Sequence, residues 1–455
     1  MTTRLIRGLG FVDAAAIVVG SMIGTGVFLK SAVMAQQVGS GAWVLTAWVL
    51  AGVLSLAGAL SYAELGAMFP RAGGEYVYLR EAYGDLTAFL NGWTRFWIAG
   101  PGTIAAYAVG AATFMEGAVG LEFIGGKAGM GIAFILFFSA LNCLHVSVGG
   151  RVQSLVTGVK LLLILGLTVG VLFFSPAASM GHLGEASMGQ SLLPSGLGMA
   201  MLAALWAYDG WNNLPMAAGE VKQPEKNVPL SLILGVLLVM VVYCLINLGY
   251  FLALPLTEVL SANSSVNPGA LPVATKAAMT FMGAAAVGAV SIAFVISALG
   301  AMNGSVLSNA RVPFAMAQDG LFFRQLGYLS PSTRVPLVSV LVQAVIAAAM
   351  AAMGTFDQLT NYVVFSSWIF YALVCAGVIV LRRKRPELAR PYRVLGYPWV
   401  PIVFVGVSVL LIANTLWTMP VESGIGLVLI GVGVPVFYGL RGYWKRGPRE
   451  GIGLQ

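Results

Sequence analysis

Long apolar stretches alternate with short polar connections along the whole chain. Twelve such stretches are legible, at about 10–36, 42–68, 86–115, 128–149, 152–175, 195–219, 229–254, 280–310, 336–354, 358–381, 398–418 and 422–441. A helix that crosses a bilayer needs about 20 largely apolar residues, within roughly 17–25, so each stretch predicts one spanning helix. Two of them are interrupted in the middle. The first reads Ala16-Ile17-Val18-Val19-Gly20-Ser21-Met22-Ile23-Gly24-Thr25-Gly26-Val27-Phe28, and the second Leu205-Trp206-Ala207-Tyr208-Asp209-Gly210-Trp211-Asn212-Asn213-Leu214. Hydrocarbon cannot hydrogen-bond a bare peptide group, so unwound backbone survives at that depth only inside protein or beside a wet cavity. The breaks head spans 1 and 6, which divides the first ten spans into halves of five. An odd number inverts the second half relative to the first, and paired breaks of this kind point to the substrate site of a secondary transporter.

The expected architecture is therefore an all-α integral membrane protein, one transmembrane domain over 1–455. Its first repeat half lies at 8–175, its inverted half at 194–381, and two accessory helices at 398–441. Helices 1 and 6 are discontinuous. The polar loop 70–84 predicts a short amphipathic helix after Gly74; its inverted counterpart is the segment 255–279, punctuated by Pro255, Pro268 and Pro272.

Composition agrees with a bilayer and excludes a water-facing globule. The chain is 58% hydrophobic and 9% charged, against roughly 25% charged in soluble domains, and its mean hydropathy is +0.88. The basic start, Met1 to Arg7, leads into a stretch of full spanning length, which argues against a cleaved signal peptide. With the amino terminus inside, 20 of the 25 Lys and Arg fall on the cytoplasmic side, among them Arg4, Arg7, Arg71, Arg80, Arg382, Arg383, Lys384, Arg385 and Arg449. The opposite face receives Lys30, Lys127 and Lys276. That asymmetry places both termini in the cytoplasm and turns the net charge of +8 into a topology signal with some attraction to anionic lipid. Nucleic acid is not an expected partner.

The breaks carry the candidate chemistry. Gly20 and Gly24 alone would suit close helix packing, but packing does not call for Ser21, Thr25 and Gly26 within the same seven residues. Unwinding frees amides at the start of the outer half-helix, where the dipole is positive; the Thr25 hydroxyl and the Gly26 amide would seat a carboxylate. Carbonyls at the end of the inner half-helix would seat an ammonium group. One site for both groups suits an α-amino acid. The second break adds carbonyls from Trp206 through Asp209. Trp206 is bulky enough to close over a ligand, and Asp209 is a carboxylate near mid-membrane, functional by default or a cap for freed amides. Lys160 is deep in span 5, at a cost of about 2.5–3.5 kcal/mol on insertion scales. A fixed ammonium there can bridge the broken helix to a neighbouring span.

Four segments, in order and at span-compatible spacing, carry a family resemblance: GSMIGTGVF at 20–28, the span-5 lysine, LWAYDGWNN at 205–213 followed by GEVKQPEKNVP at 219–229, and ARVPFAMAQDGLF at 310–322. The chain resembles the amino acid–polyamine–organocation superfamily, and within it the L-type amino acid transporter group. The resemblance implies the LeuT-like fold and amino acid transport or exchange without sodium. It also implies that Thr25 and Gly26 hold the substrate carboxylate, that the carbonyls of Met22, Trp206 and Asp209 hold its amine, and that Trp206 gates. Ile23, Gly24 and Asn212, in the same breaks, complete the expected substrate-binding set. Lys160 would occupy the sodium-site region, facing Gly20 and Ser297. Animal members pair with a heavy subunit through a cysteine between spans 3 and 4; the loop 116–127 has none, so no disulfide-linked heavy subunit is expected.

The expected function is sodium-independent exchange of neutral L-amino acids across the plasma membrane. A proton-coupled symporter or a cationic amino acid or polyamine carrier is the alternative. No cofactor or metal is expected: His145 and His182 are the two histidines, there is no HExxH, and no paired carboxylates share a predicted face. An enzyme is thereby disfavoured, as is a channel for want of charge rings or a filter motif. Topology is testable directly. Cysteines engineered into the loop 382–393 should resist labelling from outside intact cells, and ready labelling there would overturn the orientation.

Overall fold

The apolar stretches fold as α-helices, which meet their backbone donors and acceptors within one segment. In the computed structural model, which describes residues 5–116, 120–187, 194–264, 266–267, 269–353 and 356–446, the first half comprises α1 (Phe11–Met22), α2 (Gly26–Val38), α3 (Gly41–Met68), α4 (Glu75–Tyr83), α5 (Asp85–Thr94), α6 (Gly100–Glu116), α7 (Gly126–Asn142) and α8 (Val146–Phe174). After α9 (Met180–Leu183) the second half runs through α10 (Pro194–Tyr208), α11 (Asn213–Met216), α12 (Pro224–Ala253), α13 (Leu256–Leu260), α14 (Val273–Met282), α15 (Ala285–Asn309), α16 (Arg311–Gln318), α17 (Leu337–Met353) and α18 (Phe356–Lys384). α19 (Trp399–Thr418) and α20 (Pro420–Arg446) follow. Arg4, Pro268 and Arg449, used in the sequence reading, lie outside the described residues.

Among the described residues, nine helical segments are long and apolar enough to cross a membrane. Three further apolar helices, Gly126–Asn142, Gly196–Tyr208 and Leu337–Met353, are shorter and occupy predicted spans 4, 6 and 9. The architecture is all-helical with helices 1 and 6 broken, the LeuT-like arrangement. α4 forms directly after Gly74 as expected, and the segment 255–279 supplies α13 and the start of α14.

Two boundaries differ from the sequence reading. Span 4 was expected to reach residue 149 and span 5 to begin at 152, yet α7 ends at Asn142 and α8 begins at Val146. The cause is His145, whose extended backbone stops the helix and whose Nδ1 accepts the Ser147 amide at 3.1 Å, meeting one of the donors that a helix start leaves open. Span 3 is not one regular helix either: a π-turn, Arg95–Ala99, joins α5 to α6. Pro101 follows it and has no N–H to give the ladder, which fits a local widening there.

One end of the bundle is clamped by ion pairs. Arg311 donates to both carboxylate oxygens of Glu220, at 2.7 and 3.0 Å, with both side chains almost fully buried. Leu9 threads the same place, its amide on the Glu220 carbonyl and its carbonyl accepting from the Lys222 amide. Asp319 receives Arg71, Arg80 and Tyr76 at 3.1, 2.8 and 3.0 Å; burial, with Asp319 beside it, pushes the Tyr76 hydroxyl above its ordinary range, so it stays protonated and donates. Glu64 holds Arg382, Arg390 and the Val394 amide. Breaking a buried pair costs about 3–5 kcal/mol because it strands the remaining charge. Glu220→Gln should therefore lower the melting temperature in detergent well below that of exposed-pair variants such as Lys127→Gln. The double variant Glu220→Gln, Arg311→Met should recover part of the loss; equal melting of all four proteins would refute the clamp.

Candidate functional site

Both breaks are at the centre of the bundle, and they touch. Ile23, Gly24 and Thr25 separate α1 from α2, and Asp209 to Asn212 separate α10 from α11. A side-chain carbon at Gly26 would stand 2.8 Å from the Ala207 Cα, so the start of α2 reaches the end of α10 only because residue 26 is glycine. Gly210 combines two demands. Its φ is +117°, and a Cβ would meet the backbone of Ser21 and Met22 at 2.8–3.0 Å. Only glycine satisfies both without strain.

The freed groups of the first break are met from α8 and α15. Lys160 stands midway along α8, fully buried. Its Nζ donates to the carbonyls of Gly20 and Ile23, each at 2.6 Å, and of Ser297 at 3.1 Å. The Ser297 hydroxyl is 3.0 Å from both Ile23 O and Gly24 O. The structure thus brings Lys160, Gly20 and Ser297 into one cluster. Gly20 also has a packing role, for a side chain there would overlap Thr157 and Gln153.

The second break is less open than expected. α10 stays helical through Tyr208, and the Trp206 carbonyl accepts from the Asp209 amide at 3.2 Å. The Ala207 carbonyl accepts from the Tyr243 hydroxyl at 2.9 Å. Asp209 Oδ1 accepts from Tyr371 at 2.7 Å, so its carboxylate answers a side chain of α18. Asn212 turns its amide to Glu75 Oε1 at 3.0 Å and to Tyr371 at 2.9 Å. Those contacts draw it into a buried network completed by Arg95, which pairs with both oxygens of Glu75 at 2.9 and 3.2 Å, and by Tyr62 and Asn91.

Thr25 is fully buried, and among the described residues its hydroxyl has no hydrogen-bond partner; the same holds for the Ser21 hydroxyl and for Asn212 Oδ1. Buried polar atoms are normally paired, so unmet groups beside freed backbone mark a place equipped for a polar ligand. Met22, Ile23 and Trp206 are also buried. Among the described residues no group of three or more His, Cys, Asp or Glu is placed to hold a metal ion.

Two further aromatic residues at the site escaped the sequence reading, as Tyr371 did. The Tyr243 hydroxyl, on α12, is 2.7 Å from Met22 O as well as 2.9 Å from Ala207 O, so it spans both breaks. Tyr107, on α6, packs against Gly24 and approaches Trp206 with ring centroids 6.2 Å apart. An aromatic in an apolar span reads as core, and no signal in the chain separates these two from the rest.

Two crossed broken helices in a helical membrane bundle define an inverted-repeat membrane transporter. Residues 9–436 match the amino acid permease family, and the chain belongs to that family, within the amino acid–polyamine–organocation superfamily. It is 34% identical over 439 residues to the serine/threonine exchanger SteT of Bacillus subtilis, covering 96% of this chain and 97% of that protein. It is 30% identical to the human b(0,+)-type amino acid transporter 1, over 98% of this chain and 90% of the other. The human cystine/glutamate transporter is also 30% identical, over 98% of this chain and 87% of its own length. These relatives are transporters and exchangers, not enzymes.

The crossing predicts a sharp local sensitivity. Gly210→Ala should destabilise the folded protein by more than about 1 kcal/mol, since alanine at positive φ is strained and here also meets backbone. Gly158→Ala, on an open helix face with nothing within 4 Å, is the control. Melting both in detergent checks it, and equal melting would contradict the close crossing.

Proposed function

We propose that the protein is a sodium-independent exchanger of neutral L-amino acids in the cell membrane, with both termini cytoplasmic. The observation that carries this reading is the Lys160 ammonium on the carbonyls of Gly20, Ile23 and Ser297. An ammonium has three protons, and three carbonyls accept them, so a fixed cation already fills the seat that a coupling ion would need. In this reading the substrate carboxylate lies on the Thr25 hydroxyl and Gly26 amide, beside the positive end of α2. Its amine takes carbonyls of Met22, Trp206 and Asp209, and Trp206 closes over it. Ile23, Gly24 and Asn212 line the same volume. The Trp206 and Met22 carbonyls accept from Asp209 and Tyr243, and each keeps a second lone pair for the amine. The exchange mode follows the names of the relatives, which include a serine/threonine exchanger. The loop 116–127 holds no cysteine, which supports a carrier that works without a disulfide-linked heavy subunit.

Counterflow in proteoliposomes tests this, with a panel of amino acids, sodium against choline, and two pH values. Neutral amino acids should exchange equally in both salts, while methyl esters and decarboxylated amines should compete poorly. A sodium requirement would sink the reading, and a dependence on the proton gradient would favour symport. Lys160→Ala should fold yet exchange at least about tenfold more slowly, because an unmet buried group costs several kcal/mol before relaxation. Normal turnover per folded molecule would make Lys160 structural only.

A further inference from the structure

Resting on that reading of the site, we infer that Tyr107 limits the size of the substrate side chain, and that the protein selects small neutral amino acids such as alanine, serine and threonine over leucine and phenylalanine. With its carboxylate and amine both seated on the breaks, an α-amino acid has one substituent left to place. Its Cα must then lie against the unwound backbone around Gly24, so the side chain is directed away from that backbone. Tyr107 packs directly on that backbone, where the side chain has to pass.

Three contacts fix its position. A Cβ at Gly24 would be 2.8 Å from Tyr107 Cε1 and 3.2 Å from its hydroxyl oxygen, so the ring edge rests on the first break itself. The hydroxyl reaches the Ser21 carbonyl at 3.4 Å, a long bond that ties the ring to the same segment. The ring faces Trp206, the bulky residue of the second break, at 6.2 Å and 36° between planes. Both aromatics are 5% exposed and share one apolar cluster with Ile104, Met302 and Val306. A ring packed on the backbone of the first break and set in that apolar cluster does not swing aside for a larger ligand at low cost. The absence of a side chain at Gly24 brings this wall closer still. Alanine, serine or threonine fits beneath such a wall, whereas a longer branched side chain or an aromatic one collides with it.

The test is competition against the best-exchanged small amino acid in proteoliposomes of the full chain. In the wild type, leucine and phenylalanine should compete far more weakly than alanine and serine. Tyr107→Ala should shift the leucine-to-serine ratio of apparent affinities towards leucine by about 10–200-fold, the range for a single methylene in an apolar pocket. Tyr107→Phe keeps the wall and should leave the ratio within about threefold of wild type. If Tyr107→Ala fails to give a monodisperse protein, Tyr107→Leu carries the same expectation with a smaller shift. A purely structural tyrosine would lower yield or turnover for all substrates together and leave the ratio in place. That result, or a wild type that prefers leucine, overturns the inference while the exchanger reading stands. Wild-type liposomes that exchange no neutral amino acid would instead refute the exchanger reading.

Discussion

A carbonyl freed from its helix at membrane depth must find a donor or lose several kcal/mol, and the centre of this structure is organised around that demand. At the first break the debt falls on Gly20, Ile23 and Gly24. Lys160 answers with a charge, donating to Gly20 and Ile23 and reaching Ser297 across the gap, and Ser297 returns a hydroxyl to Ile23 and Gly24. Among the described residues, no carboxylate hydrogen-bonds that ammonium. Its charge is held by carbonyl dipoles, and a neighbouring Cβ at residue 300 would crowd Lys160 Cε at 2.9 Å, so α15 can approach only through Gly300. The charge, the break and the close approach of α15 therefore meet at one point.

The second break solves the same problem by other means. Its own turns close on Trp206 and Gly210, with the Asp209 and Asn213 amides as donors. What it needs from outside comes through side chains: Tyr371 to Asp209, and Asn212 to Glu75 and Tyr371. Behind these lies the Glu75–Arg95 pair, buried at the junction of α4 with the π-turn. A buried pair is weak support for stability but a strict condition on geometry. Here it fixes where α4 meets the second break, and the Gly73 amide on Met216 O at 2.9 Å makes a second tie to α11.

What could be read from the chain follows from cost. Gly24, Thr25, Gly26, Asp209 and Asn212 stood out because polar and flexible residues are expensive within an apolar stretch, and Lys160 stood out because a charge there is more expensive still. Position on the helix was legible for the same reason. Tyr243 and Tyr107 were not, since a tyrosine pays little to sit in an apolar span and reveals its hydroxyl only when its partners are folded beside it. The Trp206 carbonyl was expected to be free; that depends on how far α10 persists, and helix ends are set by local turns rather than composition. The His145 cap and the π-turn before Pro101 belong to the same class of short-range detail. Glu75 was placed on a helix correctly, but its pairing with Arg95, twenty residues on in sequence, depends on α4 folding back against α5.

The half-helices α1 and α11 are joined at both of their ends. At the centre, Gly210 lies on the Ser21–Met22 backbone and Tyr243 reaches both Met22 O and Ala207 O. At the other end, Leu9 pairs with Glu220 and Lys222, just before α1 and just after α11. Two ties at opposite ends resist both sliding and rotation of one segment against the other. The bonds from this pair to α8 and α15 are of another kind: single side chains, Lys160, Ser297, and Gln153 and Thr157 on the Ala16 carbonyl at 3.3 and 3.2 Å. A shift of α1 and α11 away from α8 and α15 would part no backbone pairing, but it would strip the buried Lys160 ammonium of the Gly20 and Ile23 carbonyls, a loss of several kcal/mol unless another acceptor replaces them. The single tyrosine proton at Tyr243 sharpens this constraint. One proton serves two carbonyls, Met22 O at 2.7 Å and Ala207 O at 2.9 Å, so a well-aligned bond to one leaves the other weakly met.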